Sequence, residues 1–179
     1  MPDQVERVVL GLPDLRAVTR FAAKSADEVL EVFEAACPAD PRPREAIAAA
    51  WTFARGGARS KLLRDAGWDA HRAARAIGAG AGGEAARAAM HAVSAAYLHP
   101  LADAHQVKHV LGSAAHAARA AELTAGDDRA VGDEHIDQAR RRATPAVVDV
   151  LLRYPVAPPG GGRVGELLRS LDRALRTRS

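Results

Sequence analysis

The chain has 179 residues, enough for one hydrophobic core, and 48% of them are apolar, yet aromatics supply only 4% and alanine fills nearly a quarter of all positions. Alanine at this density favours closely spaced helices, whereas a β-rich fold would need more Val, Ile, Tyr and Phe. A formal net charge of +3, from 25 Lys and Arg against 22 Asp and Glu, does not argue for nucleic acid, and the single cysteine, Cys37, excludes an internal disulfide and a cysteine zinc cluster.

Residues 1–12 carry early acidic positions and no long apolar run, and no stretch of about 18 apolar residues occurs, so neither a signal peptide nor a membrane span is expected. With one cysteine the natural compartment is the cytoplasm. The expected architecture is all-α, a compact alanine-rich stack or bundle of about seven to eight helices.

Asp14 is placed as the cap of a first helix running to about Ala36, with Leu15, Val18, Ala22, Val29, Val32, Phe33 and Ala36 at three- and four-residue steps. The segment Asp40-Pro41-Arg42-Pro43-Arg44 is a stiff turn, because its prolines fix φ, and Pro43 suits the first turn of the next helix. That helix carries Ile47, Ala50, Trp51 and Ala54 and stops at Gly56-Gly57. A third helix spans about Ser60 to Ile77. Gly78, Gly80, Gly82 and Gly83 then read as a flexible connection, since no strand precedes them and no Lys-Ser or Lys-Thr pair follows to make a phosphate cradle.

Glu84 to about Leu98 reads as a fourth helix broken by Pro100, and a fifth runs to about Ala125. A short helix around Asp133 to Arg142 and another from Pro145 to Leu152, capped by Thr144, complete a helical domain over 1–154. Residues 155–162, rich in Pro and Gly, form a loop. Residues 163–179 form an amphipathic helix, with Val164, Leu167, Leu168, Leu171 and Leu175 on one face, expected to dock on the same domain.

Of seven histidines, His105, His109 and His116 fall in one predicted helix, within about 40 degrees of each other and away from Val107, Val110 and Leu111. Such a stripe is either a polar face or, joined by His71, His91 or His99 from neighbouring helices, a metal or ligand surface. No local motif completes a metal site: His-Glu-x-x-His and Glu-x-x-His are both absent. Nucleophilic catalysis has no better support, because Cys37 lies at a helix end without an adjacent base and Ser60, Ser94 and Ser113 lack a strand-to-helix elbow. The helix pair within Asp133 to Leu152 loosely imitates a helix-turn-helix, but its second helix offers almost no base-reading side chains. The Arg140-Arg141-Arg142 run reads as balanced by Asp133, Glu134 and Asp137.

Three stretches carry a family resemblance. The first is Asp40-Pro41-Arg42-Pro43-Arg44-Glu45-Ala46-Ile47 followed by Trp51, and the second is Ala70-His71-Arg72-Ala73-Ala74. The third runs through Ala96-Tyr97-Leu98-His99-Pro100-Leu101, Gln106-Val107-Lys108-His109-Val110-Leu111-Gly112 and Ala114-Ala115-His116-Ala117-Ala118-Arg119-Ala120. Over roughly residues 15 to 125 the chain resembles the Imm-5 like immunity proteins associated with bacterial polymorphic toxin systems. The resemblance implies a cytoplasmic helical protein that binds and neutralises a cognate toxin domain, without catalysis and without a cofactor. It directs attention to Asp40, Arg42, Arg44, Trp51 and His71 as residues of a partner-binding or structural turn, and to His99, His105, His109 and His116 as a polar or ligand face. Arg42 and Arg44, held by prolines, suit bidentate pairing with carboxylates, and internal pairing is the favoured expectation.

Overall fold

The computed structural model describes residues 6–178. Among them are nine α-helices: α1 (Leu12–Asp27), α2 (Leu30–Ala36), α3 (Arg42–Ala54), α4 (Lys61–Ile77), α5 (Ala81–Ser94), α6 (Val107–Thr124), α7 (Arg129–Arg142), α8 (Pro145–Leu152) and α9 (Gly162–Arg176). Two short 3-10 turns, Ala95–Tyr97 and Ala104–Gln106, lie either side of Pro100. The all-α reading holds, and the only strand-like pairing among the described residues is an isolated antiparallel bridge between Arg7 and Leu101.

Alanine explains the arrangement. Helix α5 packs against α1, α2, α3, α4 and α6 at once, so it has no solvent face wide enough to give a single apolar stripe. Ala85, Ala86, Ala88, Ala89 and Ala92 are all buried, as are Ala115, Ala117, Ala118 and Ala120 of α6. Their methyl groups let backbones approach closely, and the larger Phe33, Phe53, Leu111, Leu151, Leu167, Leu171 and Leu175 fill the space between the outer helices.

Several boundaries differ from the expected ones. Asp14 is not the cap of α1: the helix begins at Leu12 after Gly11, and Asp14 sits inside the first turn, where its Oδ2 accepts a 2.9 Å bond from the Gly11 N–H. The long first helix is two helices, broken at Glu28 and Val29, where Val29 adopts φ −123° and ψ 6°. At the break Asp27 accepts a 2.7 Å bond from the Trp51 indole and Glu28 one of 2.7 Å from Arg142, contacts from distant helices that local periodicity does not encode. Gly82 and Gly83 are not in the connection but in the first turn of α5, both buried. A Cβ on Gly82 would come within 2.6 Å of Ile77 Cδ1, so these glycines serve close approach between the end of α4 and the start of α5. The expected caps Ser60 and Thr144 do accept from Leu63 and Val147 backbone N–H groups, at 3.2 and 3.4 Å.

Helix α9 inserts Leu167, Leu171 and Leu175, all fully buried, and packs against α6, α7 and α8. A buried carboxylate, Glu122 of α6, ties it there by accepting from Arg119 at 2.8 Å and from Arg163 of α9, which also reaches Asp133 of α7 at 2.9 Å. A fully buried carboxylate is tolerated only when its charge is met, as it is twice here. The breaker-rich loop 155–162 is pinned by the same helix. Arg169 donates to the carbonyls of Pro158 (3.2 Å) and Gly160 (2.6 Å), Arg176 to those of Tyr154 (3.0 Å) and Pro155 (2.9 Å), and Asp172 accepts from the Ala157 N–H at 2.9 Å.

Candidate functional site

At the proline turn, Asp40 binds Arg42 through both carboxylate oxygens, at 2.9 and 2.6 Å, and also accepts from the Arg42 backbone N–H at 3.1 Å. The guanidinium holds the Asp40 carboxyl below its ordinary range, against the opposing effect of burial. Arg44 forms a second fork with Glu34 of α2, at 2.6 and 2.7 Å. Trp51 is likewise engaged, donating to Asp27 while the Arg55 guanidinium lies 4.9 Å from its ring centroid. Asp40 and Arg42 therefore fix the turn, Arg44 ties α3 to α2, and Trp51 ties α3 to the end of α1.

The histidine stripe is divided. His105 lies outside α6, in the exposed 3-10 turn, where its backbone N–H donates to Asp103 at 2.7 Å, and His99 is an exposed loop residue whose carbonyl accepts from Tyr154 at 2.8 Å. Among the described residues no three His, Cys, Asp or Glu side chains gather as a metal site would require. His109 and His116 do share a face of α6, two turns apart with Gly112 between them, and that face packs on α5. His91 of α5 fills the space over Gly112. A Cβ on Gly112 would stand 2.8 Å from the His91 Nδ1, so the missing side chain is what admits the ring. His91 stacks on His116 with centroids 4.9 Å apart and planes 18° from parallel. Burial and the charges of His116, His109 and Lys108 hold His91 well below the ordinary histidine range, and burial also lowers His109.

His91 and His116 line one opening and His109 another. On the α6–α9 side a cleft of about 380 Å³ is lined by Glu84, Arg87, His91, Lys108 and His116, with Pro158, Pro159, Gly160 and Gly161 as its far wall. Glu84 accepts from Arg87 at 3.0 Å and contacts His116 Nδ1 at 2.5 Å. Burial raises the Glu84 carboxyl, but the His116 bond and the charges of His116, Arg87 and Arg119 outweigh it, and the net shift is downward.

On the α4–α5 side lies an apolar groove of about 400 Å³, lined by Gly67, Trp68, His71, Met90, Val93 and Tyr97, with His109 at its inner end. Trp68, on this groove, is 58% exposed, a large aromatic surface left open to solvent. The His71 and Trp68 rings form a T-shaped pair, with centroids 6.0 Å apart and planes at 82°. The Arg64 and Arg59 guanidinium groups lie 5.6 and 6.0 Å from the Tyr97 ring centroid, in cation–π range. Neither pairs with a carboxylate among the described residues. By contrast Arg140 and Arg141 are paired with Asp137, Arg141 also with Glu134, and Arg142 with Glu28.

Sequence reasoning singled out His71, His109 and His116 but not Glu84, Arg87, Trp68, Tyr97 or Lys108 as a group. Glu84 and His116 are 32 residues apart, and nothing local links them. One signal was present: a glycine midway between two histidines on a helix marks a place where another side chain can enter.

The fold and these openings describe an all-α protein with an alanine core, a charged cleft at α5, α6 and α9 and an apolar groove between α4 and α5. The model of the family described as "Imm-5 like putative immunity protein" matches residues 10–144, and this chain belongs to that family. Neither a curated protein nor a solved structure matches the chain. The matched span holds the whole apolar groove, whereas residues 158–168, which complete the cleft, lie beyond it.

Proposed function

We propose that this protein binds a cognate toxin domain in the bacterial cytoplasm and neutralises it by covering its surface, without catalysis, and that the α4–α5 groove is the contact face. Membership of an immunity family supports the role, and one structural observation carries the choice of face. Trp68 stands exposed on an apolar groove, while the neighbouring Arg59 and Arg64 meet no carboxylate among the described residues. Exposed aromatic anchors next to arginines are the composition of interface hot spots. The occupant this face fits is an apolar knob of the toxin flanked by Asp or Glu, because unpaired arginines steer and orient a partner of opposite charge. Here His71 belongs to the groove, while Asp40, Arg42, Arg44 and Trp51 shape the scaffold behind it.

The test is co-expression with the polymorphic-toxin domain taken as its cognate partner. Host cells survive with the native chain, and the two purified proteins elute together. Cell death at equal expression of both proteins, or survival without a complex, contradicts the reading.

A further inference from the structure

The cleft between α5, α6 and α9 is separate from the proposed toxin face and has a different chemistry. Its charged groups are mostly cationic. Glu84 is the one carboxylate in its lining, and both its oxygens are occupied, one by Arg87 and one by His116. Lys108 is exposed at its rim and pairs with no carboxylate among the described residues. Helix α9 begins at the far wall, and its cap residue, Gly161, has no side chain to satisfy the first N–H groups. A helix start of this kind carries partial positive charge.

His91 adds a second, independent indication. Its Nδ1 is sealed against Gly112 with no hydrogen-bond partner. A sealed donor is costlier than a sealed acceptor when no partner exists, so the neutral ring keeps its proton on Nε2. The unsealed Nε2–H is then a donor at a cleft that His91 lines. The walls are held in place, since Arg169 fixes the Pro158 and Gly160 carbonyls.

We propose that this cleft binds the oxyanion of a small molecule, a phosphate or a carboxylate, through Lys108, Arg87, the His91 Nε2–H and the first turn of α9. Glu84 positions Arg87 and His116 and does not face the ligand alone, because its charge is already met. A volume of about 380 Å³ lies at the lower end of what small-molecule sites enclose, which fits a compact ligand.

The experiment uses the full chain, with inorganic phosphate and succinate as probes at constant ionic strength, read by NMR of the histidine ring protons. The proposal requires saturable shifts of the His91 and His116 resonances with at least one probe, and which probe acts separates the phosphate source from the carboxylate source. Lys108→Glu and the milder Lys108→Gln should both weaken that response, the former by about tenfold, while Lys24→Glu on α1 leaves it unchanged. No saturable shift with either probe overturns the proposal. So does an equal loss in the Lys24 and Lys108 variants, which would reduce the effect to net charge.

Discussion

Two arginine-rich regions of this molecule resemble each other in composition and differ in availability. At the proline turn Arg42 and Arg44 each grip a carboxylate with two bonds, so the charge of Arg42 is consumed in fixing the turn and that of Arg44 in joining α3 to α2. Beside the α4–α5 groove Arg59 and Arg64 rest on Tyr97 and leave their charge unmet. The first region is conspicuous in the sequence and the second is not. A rigid, charged motif in a chain is therefore a poor guide to a binding face until the destination of each charge is known.

Trp68 is where the largest effect is expected. Trp68→Ala should weaken toxin binding by about two orders of magnitude, as for an aromatic hot spot, with little change in urea stability because the ring is more than half exposed. Isothermal titration of the purified pair measures the first and a denaturation curve the second. A smaller but clear effect is expected inside the histidine row. Gly112→Val forces a side chain against His91 and should cost about 1–3 kcal/mol of stability by equilibrium urea unfolding, the range for overpacking a close contact.

The pH dependence sharpens the same row. His91 and His109 both have folded-state values below the ordinary 6.5, so the unfolded chain binds protons more readily there. Their contribution is fully present above about pH 6.5 and is lost as pH falls below it, at no more than about 1.4 kcal/mol per pH unit for each ring. Glu84, lowered in the fold, adds a loss that begins only near and below its ordinary 4.5. Stability measured between pH 7 and 5 should decline, and His91→Gln should flatten the decline; an unchanged slope would remove His91 as its source. The smallest effect belongs to the turn. Arg44→Gln opens an exposed ion pair and should leave both the urea midpoint and toxin affinity essentially unchanged.

Much of the fold was legible because alanine density and three- to four-residue steps report helices directly. The proline turn, the Ser60 and Thr144 caps and the apolar face of α9 all carry local chemistry that the structure uses. What was not legible depends on partners far along the chain. The break between α1 and α2 sits where Trp51 and Arg142 bind Asp27 and Glu28, and the glycines of α5 answer to Ile77 rather than to a loop. The site suffered most. Helical angles grouped His105 with His109 and His116, but a 3-10 turn before Val107 shifts His105 out, and the residue that joins the row, His91, enters from another helix through Gly112. The sequence offered His91 beside His71 and His99 as a ring from a neighbouring helix, and because α5 is buried on several sides it carries no stripe of its own that would choose among them.

Amide hydrogen exchange of the immunity–toxin complex, followed by mass spectrometry, tests the central contrast most directly. Toxin binding should slow exchange in α4 around residues 64–71 and from the end of α5 around residues 90–97, with residues 34–51 unaffected. Protection centred on the proline turn, with α4 and the end of α5 exchanging as in the free protein, would contradict it.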